Sequence, residues 1–295
     1  MKIPTVLSIA GSDPSGGAGI QGDIKTIFAE GCYGMGAISG LTVQNTMGVS
    51  DIMPVPADFL YRQIDKVLSD IRPDAIKIGM IVSSGQIDAI VELIKQYGLE
   101  NVILDPVVAP TCGVEFASLE VMKCMIEKLF PLSMLVTPNL PEAERIHEII
   151  EGYNSHGEDR CLTIIRSKSL VEIQGKTVNP SAPELACFIG KSCGCNVLVK
   201  GGHSEGCGAT DHLWIDGGGD KVDRFAEFKG ERIEALSSHG TGCALSSSIA
   251  ANIAKGYALE EAIDRGKKYV TAALKSDMRI GTGNGSVDHR AFARQ

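Results

Sequence analysis

The chain is poor in aromatic residues, which make up 5% of its 295 positions and include one tryptophan. With 34 glycines alongside, that scarcity suits an α/β protein with tight turns and argues against an aromatic-rich β-sandwich. No apolar run approaches the roughly 20 residues that span a bilayer, so no membrane partner is expected. No block of lysine and arginine appears and the formal charge is −8, which argues against nucleic acid or an anionic membrane surface as a partner. No secretory leader is expected, because Met1-Lys2-Ile3-Pro4 runs straight into a short apolar segment. The nine cysteines are an odd number, scattered from Cys32 to Cys243 without a paired framework. Reduced thiols in a cytoplasmic protein fit that pattern.

What is present is alternation. Short apolar runs read as strands at Thr5–Ala10, Met35–Thr42, Ala75–Ile78, Val102–Leu104, Met134–Val136 and Val197–Val199. Helical spacing predicts helices over 18–29, 57–70, 84–97, 118–129, 141–150, 242–255 and 259–275. Strand–helix alternation of this kind predicts a mainly parallel sheet covered on both faces. Residues 151–195 carry no clear period and read as a surface excursion or an additional edge strand.

Ligands of such sheets bind beyond the carboxyl ends of the strands, and chemistry-capable residues gather there. His239-Gly240-Thr241-Gly242-Cys243 opens an apolar helix. Its backbone N–H groups and the helix dipole favour a negatively charged group. At that helix start Cys243 is expected to have a pKa below the ordinary value of about 8.5, and so to accept a proton. The same residues would also make a glycine-rich cap around a small buried thiol. Gly11–Gly19 is a second strand-to-helix glycine loop, matching neither GxxxxGK(S/T) nor GxGxxG. Asn139 and Glu142, three apart at a helix start, can face one cleft and supply oxygen to magnesium. They can equally form a capping box. Asp105 follows the strand VIL, where it can meet a cation or serve a turn; Lys200 ends a strand within reach of phosphates or at a sheet edge. Cys193-Gly194-Cys195, with His203 and Cys207 beyond, lacks zinc spacing, and a CxC on a strand points both sulfurs to one face.

Taken in order, IAGSDPSGGAGIQGDIKT, YGMGAISGLTVQNTMGV, DAIKIGM, LDPVV, LVTPNLPEAE, LVKGGH, HGTGCALSSSIAANIAKG and YVTAAL resemble the hydroxymethylpyrimidine and phosphomethylpyrimidine kinases of thiamine biosynthesis. The resemblance implies a ribokinase-like three-layer α/β/α sandwich with a mainly parallel central sheet, and one kinase domain over residues 1–295. It implies phosphorylation of 4-amino-5-hydroxymethyl-2-methylpyrimidine and then of its monophosphate, with ATP and Mg2+. Gln44 then resembles the residue that hydrogen-bonds the aminopyrimidine edge, with Gly11, Met80, Val107 and Asp23 as pocket-wall positions. Asn139 and Glu142 resemble the superfamily's magnesium motif. Gly240, Gly242 and Cys243 resemble its anion hole and base, with cysteine where sugar kinases carry aspartate. Lys200 and Thr241 would lie near the nucleotide phosphates. Family members are usually dimers, which implies a homodimer with residues 33–50 at its interface. Pro110-Thr111-Cys112 depart from the family's serine-glycine after DPV. Pyridoxal or pyridoxine kinase activity is the nearest competing expectation, and a non-catalytic pyrimidine-binding regulator the competitor from a different class.

Overall fold

The computed structural model describes residues 2–107, 116–156, 180–201, 209–218, 222–233, 239–276 and 278–293, with backbone alone for 153–156 and 292–293. The first half runs β1 (Thr5–Ser12), α1 (Gly19–Ala29), β2 (Tyr33–Asn45), β3 (Gly48–Pro54), α2 (Ala57–Leu68), β4 (Ala75–Ile78), α3 (Ser84–Tyr97) and β5 (Val102–Leu104). It continues through α4 (Leu119–Cys124), β6 (Leu135–Val136), α5 (Leu140–His156), α6 (Ala182–Cys193), β7 (Asn196–Val199), β8 (Asp211–Ile215) and β9 (Arg224–Phe228). Three helices close it: α7 (Thr241–Ala254), α8 (Leu259–Lys275) and α9 (Arg290–Ala293).

Among the described residues the strands form one nine-stranded sheet in the order β3-β2-β1-β4-β5-β6-β7-β8-β9. Pairing is parallel from β2 through β7. It is antiparallel for β3 on β2 and for β8 and β9 at the other end. The parallel strands are short and apolar because helices cover both of their faces. Leu7, Ile9, Ile76, Ile78, Val102 and Leu104 turn toward Leu60, Ile64, Ile90, Ile94, Ile146 and Ile189 of α2, α3, α5 and α6. Their alternate neighbours Val6, Ala75, Ile103, Leu135 and Leu198 turn toward Ile249, Ala250, Ile263 and Tyr269 of α7 and α8. The period of two thus sorts side chains into two cores, each buried aliphatic contributing about 1.5–3 kcal/mol. β2 and β4 lie on opposite sides of β1, so the loops after β1 and β4 diverge and open a crevice at the strand ends.

The structure corrects three expectations. Residues 182–193, expected within an excursion or edge strand, are helix α6, closed at its start by a capping box between Ser181 and Glu184. Cys193-Gly194-Cys195 is no strand: Cys193 ends α6 and Gly194 turns in the left-handed region at φ 67°. Burial pushes the Cys193 thiol up to about 12, which opposes thiolate ligation of a metal; His203 and Cys207 lie outside the described residues. Strands β3, β8 and β9 had no counterpart in the sequence reading, and Met35–Thr42 is the middle of a longer strand.

α6 and β8 pack through one contact of consequence. A Cβ on Gly190 would overlap the Trp214 ring, which is fully buried. Gly190→Ala is therefore expected to destabilise the protein by about 1–3 kcal/mol through overpacking. A fall in the urea midpoint checks this.

Candidate active site

The loop after β1 is organised by Asp13. Its Oδ1 accepts from the Ser15 amide at 2.8 Å and the Ser15 hydroxyl at 2.6 Å. Its Oδ2 accepts from the amides of Gly17 at 3.0 Å and Ala18 at 2.9 Å, and lies 3.0 Å from His239 Nε2. Burial alone would raise the Asp13 pKa, but the bonds from His239, Ser15 and Ala18 outweigh it and bring it down to about 2. The folded value lies below the unfolded value of about 3.9. This stability is therefore present above about pH 4 and lost as pH falls toward about 2. Asp13→Asn should flatten the acid limb of the stability–pH curve, read as urea midpoints at pH values on either side of that window.

His239 leads into the α7 N-terminus. Gly240 holds the N-cap position at φ 83° and, being glycine, brings no side chain of its own to cap this helix. A Cβ on Gly240 would strike the Gly17 carbonyl, so the two glycine turns close on each other only without side chains. Within the first turn of α7, a Cβ on Gly242 would lie 3.2 Å from Lys200 Nζ and 3.8 Å from Asp105 Oδ2. The bare start of α7 thus faces a cation and a carboxylate.

That pair is tight. Lys200 Nζ donates to Asp105 Oδ1 at 2.8 Å, and Thr137 Oγ1 donates to the same oxygen at 3.2 Å. Burial opposes the Asp105 charge, but Lys200 and Lys77 hold its pKa below the usual carboxylate range. Asn139 and Glu142 cap α5 reciprocally: the Asn139 amide donates to Glu142 Oε2, and the Glu142 amide to Asn139 Oδ1, both at 2.8 Å. The capping-box alternative raised for this pair is therefore present. Both residues also line the cleft. Among the described residues no three His, Cys, Asp or Glu side chains could together hold a metal. Asp105 and Glu142 both line the cleft, and two carboxylates there would suit a magnesium ion that keeps waters and phosphate oxygens as its other ligands.

Cys243, on the first turn of α7, departs from expectation. The Gly19 amide and the Lys77 charge favour its thiolate, but burial by the surrounding protein and the charges of Asp105 and Asp23 push the thiol up to about 11. Desolvation outweighs the helix dipole, and the thiol is protonated at neutral pH. Asp23 also moves. Expected on the pocket wall, it is fully buried behind it. Lys77 Nζ contacts both its oxygens at 3.0 and 2.8 Å, and Ser8 and Ser247 donate to it at 2.6 and 2.8 Å. Lys77, rather than Asp23, lines the cleft.

The other ring-facing candidates share one wall. A Cβ on Gly11 would run into the Met80 methyl. Ser39 donates to the Met80 carbonyl at 2.5 Å, fixing that turn. The Gln44 carboxamide sits between Thr42 Oγ1 at 3.0 Å and His239 Nε2 at 3.1 Å. Gly11, Gln44, Met80 and Val107 line one cleft of about 980 Å³ with Asp105, Asn139, Glu142, Lys200 and Gly240 through Cys243. Ile233, Val270 and Leu274 also line the cleft. The sequence reading missed Asp13, Lys77 and His239 as individual residues, though each lies inside a quoted motif. Pro110-Thr111-Cys112 lie outside the described residues.

Known proteins share this architecture. The family described as phosphomethylpyrimidine kinase matches residues 13–173 and 167–288. A hydroxymethylpyrimidine/phosphomethylpyrimidine kinase of Rhizobium meliloti is 38% identical over 96% of this chain and 96% of its own length. A thiamine biosynthesis bifunctional protein of Geobacter sulfurreducens is 39% identical over 97% of this chain, which spans 52% of that longer protein. Among solved structures, Bacillus subtilis pyridoxal kinase in an ADP complex superposes with TM-score 0.78 at 30% identity, covering 100% of both chains. A phosphomethylpyrimidine kinase of Clostridium difficile gives 0.67 at 35% identity, over 93% of this chain and 100% of that one. A mainly parallel sheet between helical layers, with a glycine turn and a lysine–carboxylate pair at its strand ends, defines a ribokinase-like α/β kinase. The chain belongs to the phosphomethylpyrimidine kinase family.

Proposed function

We propose that this protein transfers the γ-phosphoryl group of ATP to the hydroxymethyl oxygen of 4-amino-5-hydroxymethyl-2-methylpyrimidine, and then phosphorylates the monophosphate, in thiamine biosynthesis. One observation carries the reading: Gln44, a side chain able both to donate to and accept from an aminopyrimidine edge, shares a cleft with Cys243, Lys200 and the Asp105–Glu142 carboxylates. The names of full-length relatives from Rhizobium meliloti and Bacillus subtilis support it.

Transfer of this kind rests on positioning and charge stabilisation. Gly11, Met80 and Val107 hold the ring while Gln44 reads its edge. Lys200 meets phosphate oxygens, with Asn139 and Thr241 beside the nucleotide. The amides at Gly240 through Cys243 receive the group in flight. Magnesium, when bound, neutralises phosphate charge, and Asp105 and Glu142 are the side chains that would hold it, directly or through water. Cys243 accepts the hydroxymethyl proton in the first transfer only, because the second acceptor is already an ionised phosphate. The same reading places one kinase domain over residues 1–295 in the cytoplasm as a homodimer.

A second reading has an observation of its own. Staphylococcus aureus pyridoxal kinase, solved with AMP-PCP and pyridoxal, superposes with TM-score 0.78 at 27% identity. Pyridoxal is thus an alternative acceptor in the same cleft. ATP consumption measured side by side with hydroxymethylpyrimidine, its monophosphate and pyridoxal tests both. Turnover of pyridoxal alone would overturn the pyrimidine reading.

A further inference from the structure

We infer that Thr42 and His239 fix the sense of the Gln44 carboxamide, and through it the orientation of the pyrimidine ring; this rests on the pyrimidine-kinase reading above. The two ends of a carboxamide have nearly the same shape, so their partners decide which end is which. In the structure Oε1 sits beside Thr42 Oγ1 at 3.0 Å and Nε2 beside His239 Nε2 at 3.1 Å.

Proton counting opposes that sense at both ends. Thr42 Oγ1 also lies 3.0 Å from the Ser12 carbonyl oxygen. A carbonyl can only accept, so the single hydroxyl proton belongs to Ser12 and Thr42 meets Gln44 as an acceptor. At the other end His239 Nε2 lies 3.0 Å from Asp13 Oδ2. Asp13 already receives the amides of Ser15, Gly17 and Ala18, the environment of an ionised, acceptor-only carboxylate. His239 Nε2 therefore carries a proton aimed at Asp13, and an amide N–H from Gln44 would meet a second donor. A half-turn about the last torsion of Gln44 removes both conflicts. Its nitrogen then donates to Thr42, and its oxygen shares the His239 proton.

What remains for a ligand is one N–H on the Thr42 side and one oxygen lone pair on the His239 side. That order matches a ring nitrogen beside an exocyclic amino group, with the amino group toward His239. The hydroxymethyl group is carried by the ring carbon next to the amino-bearing one. The reacting oxygen is thereby turned toward His239 and the start of α7, which carries Cys243. A 4-oxo pyrimidine presents the inverse pattern, N–H beside carbonyl, and would meet donor with donor and acceptor with acceptor. Thr42 and His239 are positioning residues, acting through Gln44.

The test is calorimetric binding of the 4-amino and 4-oxo forms of 5-hydroxymethyl-2-methylpyrimidine to wild type, Thr42→Val, Thr42→Ser and His239→Leu. Wild type is expected to prefer the amino form by about 100-fold or more, two mispaired polar contacts being at stake. Thr42→Val, close in shape, should cut that preference about fivefold to tenfold by freeing one end of Gln44, whereas Thr42→Ser retains it. His239→Leu should cut it similarly, and the Thr42 pair decides the matter if that variant fails to fold. A purely structural role would weaken both ligands together and leave their ratio unmoved. An unchanged ratio in Thr42→Val overturns the inference while leaving the pyrimidine reading intact. Binding of neither pyrimidine by wild type removes that reading, and this inference with it.

Discussion

Cys243→Ala is expected to slow phosphorylation of the hydroxymethylpyrimidine by about 10²–10⁴-fold, the usual contribution of a positioned general base. It should leave phosphorylation of the monophosphate largely intact. The asymmetry follows from the acceptors. A hydroxymethyl group must lose a proton as it attacks, whereas a phosphate monoester is already an anion. The thiol pKa of about 11 adds a pH signature. Thiolate is the minor form at neutral pH, so the first transfer should accelerate roughly tenfold per pH unit below that value, until another step limits it. The second transfer should lack that rise. Single-turnover rates for the two acceptors from about pH 6 to 9 read both effects in the window where the thiol is mostly protonated. Equal loss in the two steps would assign Cys243 to shaping the anion hole and remove it as the base.

Lys77→Met is expected to lower stability by about 3–5 kcal/mol, because it strands a buried carboxylate. Lys77 and Asp23 are both fully buried, and their ion pair at 2.8 Å lies between β4 and α1. Burial alone would lower the Lys77 pKa; the Asp23 charge and hydrogen bond instead help hold it above the ordinary lysine value. Ser8 and Ser247 give Asp23 two further donors, but neither supplies a charge. Methionine keeps most of the lysine's length, so the loss reports the charge and not a cavity. Chemical denaturation measures it. Replacing both partners together, as Lys77→Met with Asp23→Leu, should recover much of the loss, since a matched apolar pair leaves no unpaired charge behind. A double variant as unstable as the single one would show that packing at this site dominates its electrostatics.

Regular elements were largely legible because their cause is local. Short apolar runs between turn residues located β1, β4, β5, β6 and β7, and periodic apolar positions located α1, α2, α3, α7 and α8. α6 was legible in principle: Ser181 and Glu184 form a capping box, and Leu185, Ala186, Ile189, Gly190 and Cys193 mark one buried face. Polar segments on its N-terminal side hid that signal. β9 carried none, because its burial alternates only weakly and its pairing with β8 is a long-range choice.

Composition and spacing by themselves determined the layered α/β class and the helix boundaries near glycine and proline, and the resemblance of the ordered motifs pointed to the family, since each of these is written in neighbouring residues. Three-dimensional packing alone decided which charges meet. Asp23 retreats behind the wall to pair with Lys77, Lys200 settles on Asp105, His239 reaches Asp13 across 226 positions of chain, and the Cys243 thiol stays protonated at neutral pH. Charge pairing and desolvation depend on distances and surroundings set by the whole fold, so no local pattern encodes them.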